Sequence, residues 1–79
     1  MKEVTEMKAY CVAYKVNGVW DDEKRISFLA HNKADAYDKA VYEIIPKIEG
    51  RVPYSAWVVS VTYNNGNEHF FNTLEGLAY

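Results

Sequence analysis

The sequence predicts an α+β domain of order β-β-α-β-β, with one four-stranded, mainly antiparallel sheet and a single helix packed on one face. Three observations predict it. Asn17-Gly18 and Asn65-Gly66 each lie between apolar, β-prone segments, and Asn-Gly is a strong hairpin signal because a type I′ turn needs positive φ at both central residues. Between the hairpins, Tyr37, Ala40, Val41, Ile44 and Ile48 recur at helical spacing. The chain has 79 residues, 49% of them hydrophobic and 15% aromatic, which is enough bulk for one core and too little length for two. Residues 1–79 are therefore read as a single domain, with 1–7 and 74–79 expected to be loosely ordered.

Each element follows from its local pattern. "KAYCVAYKVNGVW" reads as strand 1 entering a turn, with Tyr10, Val12, Tyr14 and Val16 alternating against Ala9, Cys11, Ala13 and Lys15. "EKRISFLAH" returns as strand 2. Asn32 suits a helix N-cap, with Asp35 three residues on as a capping-box partner. Pro46 removes a backbone donor and disfavours helix at Ile45. The main helix is thus expected from 33 to about 45, with a kinked last turn reaching about 49 before Gly50 stops it. "SAWVVSVTY" is the most strand-like segment, rich in β-branched and aromatic residues. "EHFFNT" returns as strand 4, and "LEGLAY" carries no assignable pattern.

The helix must cross one sheet face between strands 2 and 3. Strand order 2-1-3-4 makes every pair antiparallel and is preferred; strand 3 beside strand 2, as a parallel neighbour, is the alternative. Two-residue turns would pair Tyr10 with Arg25 and Val61 with Phe70. That register puts Ala9, Cys11, Ala13, Ile26, Phe28, Val59, Val61 and Phe70 toward the helix, with Phe28, Ile44 and Val61 buried together. It leaves Tyr10, Val12, Tyr14, Leu29, Val58 and Phe71 on an uncovered face, the candidate interaction surface. One extra residue in "VWDDEK" would invert the downstream faces.

Charge and chemistry narrow the function. A net charge of −2 with scattered cations disfavours a polyphosphate partner. Asp21, Asp22 and Glu23 adjoin a turn and read as solvating it. Cys11, the single cysteine, lies between small apolar residues and reads as a structural thiol, not a nucleophile. It cannot form an internal disulfide, which fits a reducing cytosol. His31 and His69, with one cysteine, have no zinc-ligand spacing. No nucleophile–base–orienter set can be assembled, so neither an enzyme nor a cofactor or metal site is expected. "MKEVTEMKAY" lacks the apolar run of a signal peptide, and no stretch is long enough to span a bilayer. A cytoplasmic protein without membrane association is expected.

The strings "AYCVAY", "NGVW", "NKADAYDKAVYEIIP" and "PYSAWVVSVTYNNGN" resemble small uncharacterised proteins of phages and conjugative elements in Gram-positive gut bacteria. The resemblance runs from Lys8 to Thr73 and implies a mobile-element origin. It transfers no site. It also implies a regulator or inhibitor that acts by binding a host protein. The expected function is a non-enzymatic protein-binding module, self-associating as a homodimer through the aromatic face. Single-stranded nucleic-acid binding on that face is the alternative, since sheet aromatics can stack on bases.

Overall fold

The computed structural model describes residues 7–72. Residues 1–6 and 73–79, on which most of the expectation of loose ordering falls, lie outside the described residues. Four strands form one sheet: β1 (Lys8–Lys15), β2 (Lys24–Ala30), β3 (Ser55–Thr62) and β4 (Glu68–Phe70). Their order is β2-β1-β3-β4 with every neighbour antiparallel, the preferred arrangement of the sequence reading. Between β2 and β3 the chain forms α1 (Lys33–Lys39), a π-helical turn (Ala40–Ile44) and α2 (Ile45–Glu49).

The helix begins as its cap residues dictate. Asn32 is extended, and its Oδ1 accepts the Asp35 backbone N–H at 2.8 Å. Asp35 reciprocates one residue earlier than a standard capping box, its carboxylate accepting the His31 N–H at 2.9 Å. Replacing Asn32 with Ala should cost about 1 kcal/mol, read from the denaturation midpoint; an unchanged midpoint would contradict the cap.

Pro46 explains the π turn. Proline offers no N–H to the preceding turn and crowds the carbonyl four residues back. The chain widens by one residue per turn just before it, so that the Ile45 N–H reaches the Ala40 carbonyl. The extra residue also rotates the downstream face. Ala36, Ala40, Val41 and Ile45 are buried, whereas Ile44 is half-buried and Ile48 exposed. The expected stripe through Ile44 and Ile48 is therefore displaced by one position after Val41. Gly50, with φ of 79°, ends the helix, its N–H bonding the Pro46 carbonyl at 2.8 Å.

Both hairpin registers differ from those of two-residue turns. In the first, Tyr10 pairs with Phe28 and Val12 with Ile26, a three-residue shift from the Asn17-Gly18 expectation. The connection is a wider loop organised by Asp21, whose Oδ2 accepts the N–H groups of Val16 and Asn17 at 3.0 and 3.1 Å. An odd shift exchanges the faces of β2 relative to β1. In the second hairpin Val61 pairs with His69 and Ser60 with Phe70. Asn64, Asn65 and Gly66 form a three-residue loop closed by the Gly66 N–H to Tyr63 carbonyl bond, with Gly66 at φ of 92°. This is a type I turn followed by a left-handed glycine, and it moves Phe70 and Phe71 to the faces opposite those expected.

β3 adds one irregularity. Its pairing with β1 shifts between Cys11 and Val12, leaving Val59 as the extra residue between Val58 and Ser60. The bulge lets both Val58 and Val61 face the helix despite their odd separation. The core thus comprises Tyr10, Val12, Tyr14 and Val16 of the first strand and its extension, Ala30, Ala36, Ala40, Val41, Ile45, Ala56, Val58 and Val61. Ile26, Phe28, Tyr37 and Phe71 pack around it, partly buried. The expectation that Phe28 and Ile44 are fully buried with Val61 is corrected: only Val61 is buried.

Candidate interaction face

The face expected to be open is the one the helix covers. Tyr10, Val12, Tyr14 and Val58 are all at most 5% exposed. Their aromatic and β-branched side chains supply the bulk that meets the small helix residues Ala36 and Ala40. Small residues on the helix admit large ones on the sheet, the reverse of the sequence reading, which placed the small residues on β1. Phe71 also lies on the helix side. Its ring packs edge-on against His69, with centroids 5.0 Å apart, and Lys33 Nζ sits 5.1 Å from its centroid. Of the six residues expected on the open face, Leu29 alone remains there.

Strand alternation identifies the true second face. Cys11, Ala13 and Lys15 of β1 project away from the helix with Arg25, Ser27 and Leu29 of β2, Trp57 of β3 and Phe70 of β4. Ala13 is buried even here, flanked in register by Arg25 and Trp57. Cys11 and Trp57 are half-buried. Leu29 and Phe70 are 58% and 64% exposed. No helix or strand among the described residues covers this face. The sequence pattern places Cys11, Ala13 and Phe70 toward the helix; the structure keeps Ala13 buried but turns all three to the opposite face. The missed signal at Phe70 is the triplet Asn64-Asn65-Gly66, with glycine third, the pattern of a three-residue hairpin loop.

Cations on or beside the face are already engaged. Lys15 Nζ donates to the Val19 carbonyl at 2.9 Å, and Arg25 Nε donates to the Glu23 carboxylate at 2.8 Å. Within the face, between Cys11 and Phe70 in register, Ser60 is buried and its hydroxyl donates to the Glu68 carboxylate at 3.2 Å. Cys11 is a free thiol. Among the described residues, no three His, Cys, Asp or Glu side chains cluster closely enough to hold a metal ion, and no helix is long and apolar enough to cross a membrane.

Beneath the core, at the end of the helix, Glu49 Oε2 accepts from Lys24 Nζ at 3.1 Å and from the Tyr14 hydroxyl at 3.0 Å. The carboxylate would otherwise oppose the helix dipole at this C-terminal position. The Lys24 hydrogen bond first, and the Tyr14 hydrogen bond second, hold the Glu49 carboxyl below its ordinary value. Burial first, then the bond to Glu49, raises the Tyr14 phenol above its own. A carboxyl made more acidic by folding contributes stability above its unfolded value and loses it as pH falls through its folded value. Glu49→Gln should therefore flatten the acid limb of the stability–pH curve and also lessen the alkaline loss, because Glu49 raises both Tyr14 and Lys24 and that stability is lost as pH rises through their folded values. An acid limb identical to wild type would show that this network is not linked to folding.

In comparisons with protein-family models, curated proteins and solved structures, the chain matches none.

Proposed function

We propose that the chain is a non-enzymatic protein-binding module that acts in the cytoplasm and self-associates through the open face of its sheet. The observation that carries this reading is the exposure of Leu29 and Phe70 on either side of the half-buried Cys11 and Trp57, beside a fully formed core on the other face. Large apolar side chains exposed on an uncovered sheet face, around the Ser60–Glu68 hydrogen bond, favour a protein contact with an apolar and a polar part. Trp57 supplies the residue type most often dominant in such contacts. A single self-complementary face suffices for a twofold homodimer. The resemblance to small mobile-element proteins supports a regulatory or inhibitory role toward a host protein as the setting.

The nucleic-acid alternative has less support. Binding to single strands depends on cations that follow the backbone, and Lys15 and Arg25, the two on this face among the described residues, are tied to Val19 and Glu23.

Sedimentation equilibrium at micromolar concentration tests the reading. Wild type should be associated. The pair of replacements Leu29→Lys and Phe70→Lys, both at exposed positions, should leave the circular dichroism spectrum unchanged and weaken association by at least about tenfold, the effect of roughly 1.4 kcal/mol. A wild type that stays monomeric, or a double variant that associates as wild type does, contradicts it.

A further inference from the structure

We infer that β2 pairs antiparallel with β2 of a second copy about a twofold axis through Ser27, extending the sheet across the axis. The inference rests on the proposed self-association and adds a second contact to it, on the sheet edge instead of the face.

β2 is an outer strand, and its two sides can be told apart. The Lys15 carbonyl accepts the Tyr54 N–H at 2.8 Å, so Lys15 directs its backbone groups toward β3. Alternation then directs those of Cys11 and Ala13 the same way, and those of Tyr10, Val12 and Tyr14 toward β2. Their partners Phe28, Ile26 and Lys24 use their backbone groups inside the sheet. Arg25, Ser27 and Leu29 direct theirs outward. The contact of Lys39 Nζ with the Leu29 carbonyl, at 3.5 Å, agrees with this direction. It lies at the outer limit of a hydrogen bond, and a carbonyl has a second lone pair to offer.

Long edge strands are usually blunted by proline, a bulge or inward-pointing charge. β2 has none of these over Ile26–Ala30, and its register with β1 runs without interruption. Its charged residues, Lys24 and Arg25, stand only at its start.

The strand is self-complementary about Ser27. Arg25 falls opposite Leu29 of the second copy, and Ser27 opposite its own counterpart. Both are pairs in which the outward backbone groups meet, giving up to about six N–H···O=C bonds. On the helix side, Ile26 falls opposite Phe28 of the other copy, and these are two of the partly buried side chains at the margin of the core. Apolar and aromatic cross-strand pairs of this kind stabilise sheets. The antiparallel arrangement also keeps the two Lys24-Arg25 pairs apart. It brings each Lys24 opposite Ala30 of the other copy, next to His31, whose N–H holds the Asp35 carboxylate. A twofold normal to the sheet places both open faces on one side, forming a surface twice as wide.

Amide hydrogen exchange at two protein concentrations, alongside sedimentation of the same samples, tests the inference. At a concentration where the chain is associated, the Arg25, Ser27 and Leu29 amides should exchange roughly tenfold or more slowly than after dilution to monomer. Ile26 and Phe28 should be protected in both samples. The Ser27→Pro variant removes only an outward N–H, a change tolerated on an edge strand, and should lower the associated mass, while Phe70→Lys, on the opposite outer strand β4, lowers it separately through the face. If the protein associates while the three outward amides exchange equally fast at both concentrations, the edge contact is wrong and the open-face reading stands. If they are equally protected at both, the edge is covered within one chain and the inference fails. If the protein is monomeric throughout, both proposals fail.

Discussion

Replacing Tyr14 with Ser is expected to destabilise the domain by about 3–5 kcal/mol, in the range of large aromatic-to-small changes in a core. Tyr14 is 2% exposed and stands in the middle strand, between Lys24 of β2 and Ala56 of β3. Two losses combine. Loss of the ring leaves a cavity in the core cluster, and the hydroxyl's bond to Glu49 disappears. A domain of this size has little to spare, since small domains are stable by only about 5–15 kcal/mol. A denaturant titration measures the loss. The same replacement at Leu29, on the open face, should fall within about 0.5 kcal/mol of wild type. If Tyr14→Ser folds as stably as Leu29→Ser, the two faces have been exchanged.

Ile45→Ala should cost about 2–5 kcal/mol. Ile45 is fully buried and ranks with Val12 and Val58 among the largest side chains that are. Its position depends on the π turn that precedes Pro46. Ile44→Ala and Ile48→Ala should cost less, because Ile44 is half-buried and Ile48 is exposed. The order of the three midpoints therefore reads the rotation of the helix directly. Ile48→Ala as the most damaging of the three would restore an uninterrupted α-helical stripe and remove the π turn.

Element order and sheet order were legible because they depend on signals that survive a small error in register. Asn32 and Gly50 mark the helix ends through side-chain capping and positive φ, both local properties. The two hairpins are announced by their Asn-Gly pairs, and antiparallel pairing follows from short connections. The choice of face was not legible, for a physical reason seated in β1. It is a central strand with apolar residues on both sides: Tyr10, Val12 and Tyr14 on one, Ala9, Cys11 and Ala13 on the other. Period-two alternation identifies its two faces without saying which is covered. That decision passed to the turns, and each turn held a different number of residues from the two that Asn-Gly suggests. Asp21 captures two backbone N–H groups and holds the first loop wide. Gly66 takes the left-handed position after a type I turn in the second. The π turn was hidden in the same way. Pro46 signals a disturbance, while the form it takes depends on how the chain repairs the missing bond.

Both the open face and the outward-pointing edge of β2 follow from the backbone register between β1 and β2, and measuring that register tests them most directly. In an antiparallel pair whose backbone groups point away from each other, the two α-protons are close and give a strong nuclear Overhauser cross-peak, because the Cα atoms approach to about 4.5 Å. Cys11 and Ser27 form such a pair. The expected result is an α-proton cross-peak between Cys11 and Ser27, accompanied by one between Ala9 and Leu29. A cross-peak between Cys11 and Lys24 in their place would mean a two-residue turn at Asn17-Gly18. It would exchange the faces of β2 and contradict both the open face and the outward-pointing edge.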